Sequence, residues 1–358
     1  MGFIIAILAG VCTGSFALPM KYTQKWNWEN TWSIWTVSAL LFVPWIIGFI
    51  AIPNLMELYS QVGPKAIAVV FFFGFIWGFS AIAFGTGVHY LGLGLGYSLM
   101  MGMIISIGAI LPLIVTVDTQ KIIDSSGWAM VSNAININPN KIGAAELSII
   151  IGVAVIIFGV ILNAWAAVTK EKNLAKTSSE AQPVEKKSFT KGLVICIVAG
   201  VTAPMLVYSC NSGGFIISTA ENMGVSKSAA SCSIWPIALS AGFLTNLIYC
   251  FWLVHKNKGW KLYLAQGTKR NYFYAALMGL LWAGSIYIFG IAAAQLGNKG
   301  PSIGWAVFNA VGIFWANSLG LLTGEWKGAG KKALTLMTIG LFILLVGVVI
   351  VGRAKDIS

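Results

Sequence analysis

Charge is scarce in this chain. Asp, Glu, Lys and Arg supply 9% of its 358 residues, while 58% are hydrophobic. A soluble domain carries about 25% charged residues, and a buried core alone could not absorb so much apolar surface. The composition excludes a soluble protein and predicts an integral membrane protein. Acids are the scarcer sign, 11 against 23 bases. None lies inside an apolar run, which argues for a neutral, polar substrate, because a cation would want a buried carboxylate. It also leaves no evident proton carrier within the membrane. Histidine is rarer still. His89 and His255 stand at the ends of apolar runs and cannot make a zinc site by themselves. The cysteines (Cys12, Cys196, Cys210, Cys232 and Cys250) are odd in number, form no close pair and read as buried thiols. These gaps remove the clustered His, Asp or Cys groups that an embedded enzyme needs. No catalytic residue, metal or cofactor is expected.

Long apolar runs are what the sequence has instead. Ten windows contain no Asp, Glu, Lys or Arg: 2–20, 32–53, 66–88, 93–117, 147–169, 192–214, 228–254, 271–295, 300–324 and 333–352. Crossing the hydrocarbon takes roughly 20 apolar residues in a helix, and a helix satisfies its own backbone in lipid. The runs do not alternate at period two, which argues against a barrel. The first run has no basic leader and reads as a retained helix rather than a signal peptide. The expected fold is an all-α membrane protein with ten transmembrane helices.

The net charge of +12 marks topology rather than a nucleic-acid partner. Of the 23 basic residues, 16 fall in the loops after windows 1, 3, 5, 7 and 9. Basic loops stay in the cytoplasm, so both termini are expected outside, with membrane lipids around the bundle.

The chain repeats itself. "GFIWGFS" at 74–80 and "GLLWAGS" at 279–285 align without a gap. That alignment pairs Trp77 with Trp282, Ser80 with Ser285 and Leu91 with Leu296. "GFIIAILAGV" at 2–11 matches "GLVICIVAGV" at 192–201, and "SIW" at 33–35 recurs at 233–235. Gly152 and Gly159 match Gly340 and Gly347. The stretch 170–191 is polar and charge-dense, a cytoplasmic linker between a first five-helix repeat (1–169) and a second (192–358). Five is odd, so the second half must cross in the opposite sense. Inverted repeats are the architecture of many secondary transporters, with a site near the midplane between the halves.

Candidate site residues follow from chemistry and depth. Trp77 and Ser80, like Trp282 and Ser285, are three apart and share a helix face. Indole faces suit the C–H faces of a sugar, while hydroxyls and amides bind its OH groups. Equally, these tryptophans could lock helices together. Trp305, Asn309 and Asn317 share a face in the ninth window, where amides usually turn inward. Tyr208 and Asn211 follow a break at Pro204, and Tyr287 and Gln295 lie in the eighth window. For each of these the rival role is a helix–helix hydrogen bond. The alignment sets Ile82 against Tyr287 and Tyr90 against Gln295, so an asymmetric sugar would be read there. Candidate coupling groups at window ends are Lys21, His89 and Glu325. Lys21 aligns with Asn211, and it could equally snorkel to the interface.

The segment "PMKYTQKWNWENTWSIW" (19–35), with Lys21, Lys25, Trp26, Trp28, Glu29, Trp32 and Ser33, resembles the L-rhamnose–proton symporter family of the drug/metabolite transporter superfamily. "HYLGLGLG" (89–96), "IGW" (303–305) and "GEWKGAGKK" (324–332) are similar to further parts of that family. The resemblance implies ten helices in a bacterial cytoplasmic membrane and inward transport of a sugar with protons by alternating access. The leading expectation is L-rhamnose or a related deoxyhexose. A glucose/ribose-type uptake protein or a small-metabolite exporter on the same fold is the alternative. The loop 118–146 is longer than the family's usual one.

Overall fold

The computed structural model describes residues 1–92, 96, 98–118, 121, 124, 135–137, 142–177 and 189–357. Among them, 9 helical stretches are long and apolar enough to cross a membrane. They are Gly2–Tyr22, Trp28–Ala51, Leu55–Phe84, Ala144–Leu174, Phe189–Asn222, Lys227–Lys256, Lys269–Gln295, Gly297–Leu322 and Lys331–Asp356. The chain is an integral membrane protein. The fourth expected span is the shorter apolar helix Leu99–Ile114. It leads into a small antiparallel ladder of β1 (Val115–Val117) and β2 (Ile135–Ile137), with Val115 opposite Ile137. The all-helical expectation omitted this ladder; β-branched residues fill most of it and favour the extended chain.

The helices are α1 (Gly2–Ser15), α2 (Trp28–Val37), α3 (Val43–Ala51), α4 (Leu55–Gly92), α5 (Ser98–Ile114), α6 (Ala144–Thr177) and α7 (Phe189–Thr202). They continue with α8 (Met205–Ser212), α9 (Gly214–Asn222), α10 (Lys227–Ala230), α11 (Trp235–Lys256), α12 (Lys269–Gln295), α13 (Gly300–Leu322) and α14 (Lys331–Arg353). Local chemistry sets the breaks. A π turn at Ser38–Phe42 joins α2 to α3 just ahead of Pro44, whose missing N–H frees a carbonyl one turn back. Inside α4, Gly63 takes φ +76° before Pro64, a conformation open to glycine. Pro204 separates α7 from α8, where the sequence places the break. At the other side of the linker, α6 runs on to Thr177, into the stretch expected to be polar coil.

Lipid offers no hydrophobic drive between helices, so close packing through small residues holds a membrane bundle together. Along α6 and α14, Gly152 abuts the Gly347 carbonyl and Gly159 the Gly340 carbonyl. One residue number rises as the other falls, so these helices are antiparallel. Other contacts recur under the alignment of the halves. Gly2 abuts Leu296 and Gln295, and Gly192 abuts Leu91 and Tyr90. Gly74 abuts Ala238, and Gly279 abuts Ser38.

The loops sort by end. At one end Lys21 reaches Thr323, Asn271 bonds Gln24, Asn173 reaches Ala329 and Lys170 lies over Trp326. At the other, Lys299 pairs with Glu146 and Gln295 meets Ser228. The first group belongs to the basic loops and the second to the remaining loops.

Candidate functional site

The turn of α2 puts Trp28, Trp32 and Trp35 on one face, at spacings of four and three. Their rings touch in sequence. Trp28 stacks on Trp32 (centroids 5.0 Å apart), and Trp32 lies 4.2 Å from Trp35. Trp35 meets Trp282 of α12 edge-on at 5.3 Å, and Trp282 stacks on Trp77 of α4 at 5.3 Å and 18°. The repeat-related pair Trp77 and Trp282 is therefore in direct contact, at the inner end of a continuous tryptophan ladder. Trp28 is 38% exposed and Trp77 is 6% exposed, so the ladder leads from the surface into the core. Gly242 makes room for Trp77 on its other side.

Other aromatic residues join the same buried cluster, with Tyr208, Tyr287 and Trp305 among the predicted ones. Trp35, Trp77, Tyr208, Trp235, Tyr287 and Trp305 belong to it, and Trp282 packs against it. Ser80 and Ser285 are buried beside their tryptophans in sequence; the Ser285 hydroxyl donates to the Trp282 carbonyl at 2.6 Å. Tyr208 packs 5.8 Å from Phe73, and its buried hydroxyl has no partner among the described residues. Asn211 follows one turn on and is half-buried. Four residues have helix-bridging or intrahelical bonds. Tyr287 donates to the Pro44 carbonyl at 2.6 Å. Trp305 donates to the Ile104 carbonyl at 3.0 Å, in a groove that Gly108 leaves open. The side-chain amides of Asn309 and Asn317 donate to the carbonyls of Trp305 and Ile313. Gln295 lies apart, exposed at the end of α12. The side chain of His89 lies outside the described residues.

Two of the three coupling candidates meet. Lys21 and Glu325 form an ion pair, and Lys21 also donates to Thr323 at 2.7 Å. The pair bounds a 220 Å³ hollow together with Gly14, Ala17, Leu18, Ala316, Leu319 and Gly320. Its side chains are 36% and 43% exposed, and such pairs contribute about 0–1 kcal/mol. Lys21→Met is therefore expected to move the melting temperature by no more than about 4 °C. Thermal unfolding in detergent checks this, and a larger fall would make the pair a structural tie.

Sequence reasoning missed two features here. Trp35 and Trp235 entered only as spelling in the repeated "SIW". Both are buried, at 2% and 0% exposure, and neither indole N–H has a partner among the described residues. Glu29 entered as an ionisable group at a window end and as part of a resemblance, but not as a candidate site residue. It is 5% exposed. The signal available for all three was position: each lies in or beside the "SIW" block that both halves carry.

Among the described residues the arrangement offers aromatic faces, N–H and O–H donors without a partner and no buried cation, which suits a neutral polyol. The family model of the L-rhamnose-proton symport protein (RhaT) matches residues 1–356. An L-rhamnose-proton symporter of Shigella dysenteriae serotype 1 (strain Sd197) is 23% identical over 357 residues, covering 98% of this chain and 97% of the relative. Those of Escherichia coli strains 55989 / EAEC and O8 IAI1 are each 24% identical with the same coverage. With its family model matched along nearly its whole length, this chain belongs to the L-rhamnose-proton symport protein family.

Proposed function

We propose that this protein imports L-rhamnose, or a closely related deoxyhexose, together with protons across a bacterial cytoplasmic membrane. The observation that carries the reading is the family match over residues 1–356. The tryptophan ladder supports it, because the ring faces of Trp77 and Trp282 suit the C–H face of a pyranose. A deoxy sugar's methyl group would lie against this aromatic wall. Its hydroxyls would meet Tyr208, Asn211, Ser80 and Asn309.

Ten membrane helices in two inverted halves form part of the same proposal, with Ser98–Ile114 as the fourth. The antiparallel seam of α6 with α14 supports it. So does the recurrence of Gly2–Leu296 as Gly192–Leu91 and of Gly74–Ala238 as Gly279–Ser38. Two halves that pack alike in opposite senses can exchange conformations at similar energy. Alternating access around a site between them follows, within the drug/metabolite transporter superfamily. The end bearing Lys21 and Glu325 is the cytoplasmic one, by its excess of bases, and both termini lie outside.

Uptake by proteoliposomes tests the reading. An imposed pH gradient, alkaline inside, is expected to drive labelled L-rhamnose above its external concentration, and an uncoupler to release it. Uptake that ignores the gradient would remove the proton from the mechanism.

A further inference from the structure

A proton symporter needs a group that changes charge during its cycle. Among the described residues Glu29 is the only buried carboxylate. It sits in the first turn of α2, and its Oε1 accepts from Asn27 Nδ2 at 3.2 Å and Asn257 Nδ2 at 2.8 Å. Both donors are neutral amides, and among the described residues no cation lies within ion-pair distance of it. A carboxylate held by neutral amides alone can take up a proton without breaking an ion pair.

The neighbours extend the argument. Glu29, Ser33 and Thr36 lie at spacings of four and three, on one face of α2, and are 5%, 2% and 0% exposed. Ser33 Oγ is 2.6 Å from the Tyr263 hydroxyl. Thr36 Oγ1 is buried beside the Cys250 thiol of α11. This polar file runs inward alongside the tryptophan ladder and reaches the level of Trp35. Asn257 stands just after α11. The Glu29–Asn257 bond therefore joins the first half of the chain to the second, beside the bonds Asn30–Gly259 and Trp26–Leu262.

We propose that Glu29 is the carboxylate that carries the coupling proton. This rests on the proton-symport reading above. One proton binds the carboxylate from outside and neutralises it. The bond from Asn257 then loses its charge assistance, since hydrogen bonds to ionised groups are roughly twice as strong as neutral ones. The inner end loosens, and the proton leaves to the cytoplasm as the sugar does. Other titratable groups facing this site are Cys250 of α11 and Tyr263. Burial pushes the Tyr263 phenol above its ordinary range, so it stays neutral. The nearby bases His255, Lys256, Lys258 and Lys261 are exposed, and Lys256 lies over Trp252 at 5.0 Å.

Glu29→Gln keeps the shape but cannot take up a proton as a carboxylate does. In proteoliposomes the variant is expected to lose at least tenfold of its gradient-driven L-rhamnose accumulation. Counterflow exchange of labelled for unlabelled sugar is expected to stay within about threefold of the parent. Glu29→Asp is expected to restore part of the accumulation. Accumulation by Glu29→Gln at the parent level would overturn the proposal. Loss of counterflow in both variants would also overturn it, leaving Glu29 a structural tie. If the parent protein ignores the gradient, the symport reading itself fails, and the control reports that separately.

Discussion

Trp282→Ala is expected to abolish the stabilisation that L-rhamnose gives the protein in a thermal-shift assay. Ligand bound to the folded state raises apparent stability by mass action, so loss of the shift reports loss of binding. The residue stands at the junction of the ladder, stacked on Trp77 and edge-on to Trp35. Each aromatic pair contributes about 0.5–1.5 kcal/mol, so the sugar-free protein should also melt earlier. Trp282→Phe separates the two effects. It retains a ring face and is expected to recover most of the sugar-dependent shift. A full shift in Trp282→Ala would return Trp282 to a packing role.

Gly74→Ala should be among the most damaging single-methyl additions in the chain. A Cβ there would lie 2.1 Å from the Ala238 carbonyl oxygen and 2.7 Å from its carbon. Backbone cannot rotate away, so α4 and α11 must part, at a cost of about 3 kcal/mol. The repeat supplies the control. A Cβ at Gly279 would lie 2.5 Å from Ser38 Oγ and 2.6 Å from its Cβ. The Ser38 hydroxyl can turn, and the nearest backbone atom, Ala39 N, lies 2.9 Å away, farther than the Ala238 carbonyl from Gly74, so Gly279→Ala is expected to cost less. Paired melting curves in detergent decide it. Equal costs would show that both seams yield in the same way.

Much of this is legible in the sequence. Nine of the ten charge-free apolar runs match spans among the described residues, because the bilayer forbids exposed backbone whatever the sequence. Pro204 announced its own break. The aligned tryptophans were legible as a pair, but not as a stack, since contact between α4 and α12 is a long-range matter that periodicity does not encode. Tyr287 and Trp305 illustrate the ambiguity of a polar aromatic in a membrane helix. Each has a bond to a carbonyl on another helix, at Pro44 and Ile104, and only the fold reveals that partner. Lys21 and Glu325 were each visible as charges at window ends. Their pairing needed the ends of α1 and α13 to meet. Glu29 stayed hidden because its burial comes from the far side of the chain, from Asn257 and the turn that begins at Gly259.

The tryptophan ladder also has an optical consequence. Indole rings this close share excitation energy, so light absorbed at Trp28 can be emitted from deeper in the ladder. If the proposed sugar parts Trp282 from Trp77, it cuts that path at its inner end. The protein then carries its own reporter of occupancy, read as a change in intrinsic emission and its polarisation without any label.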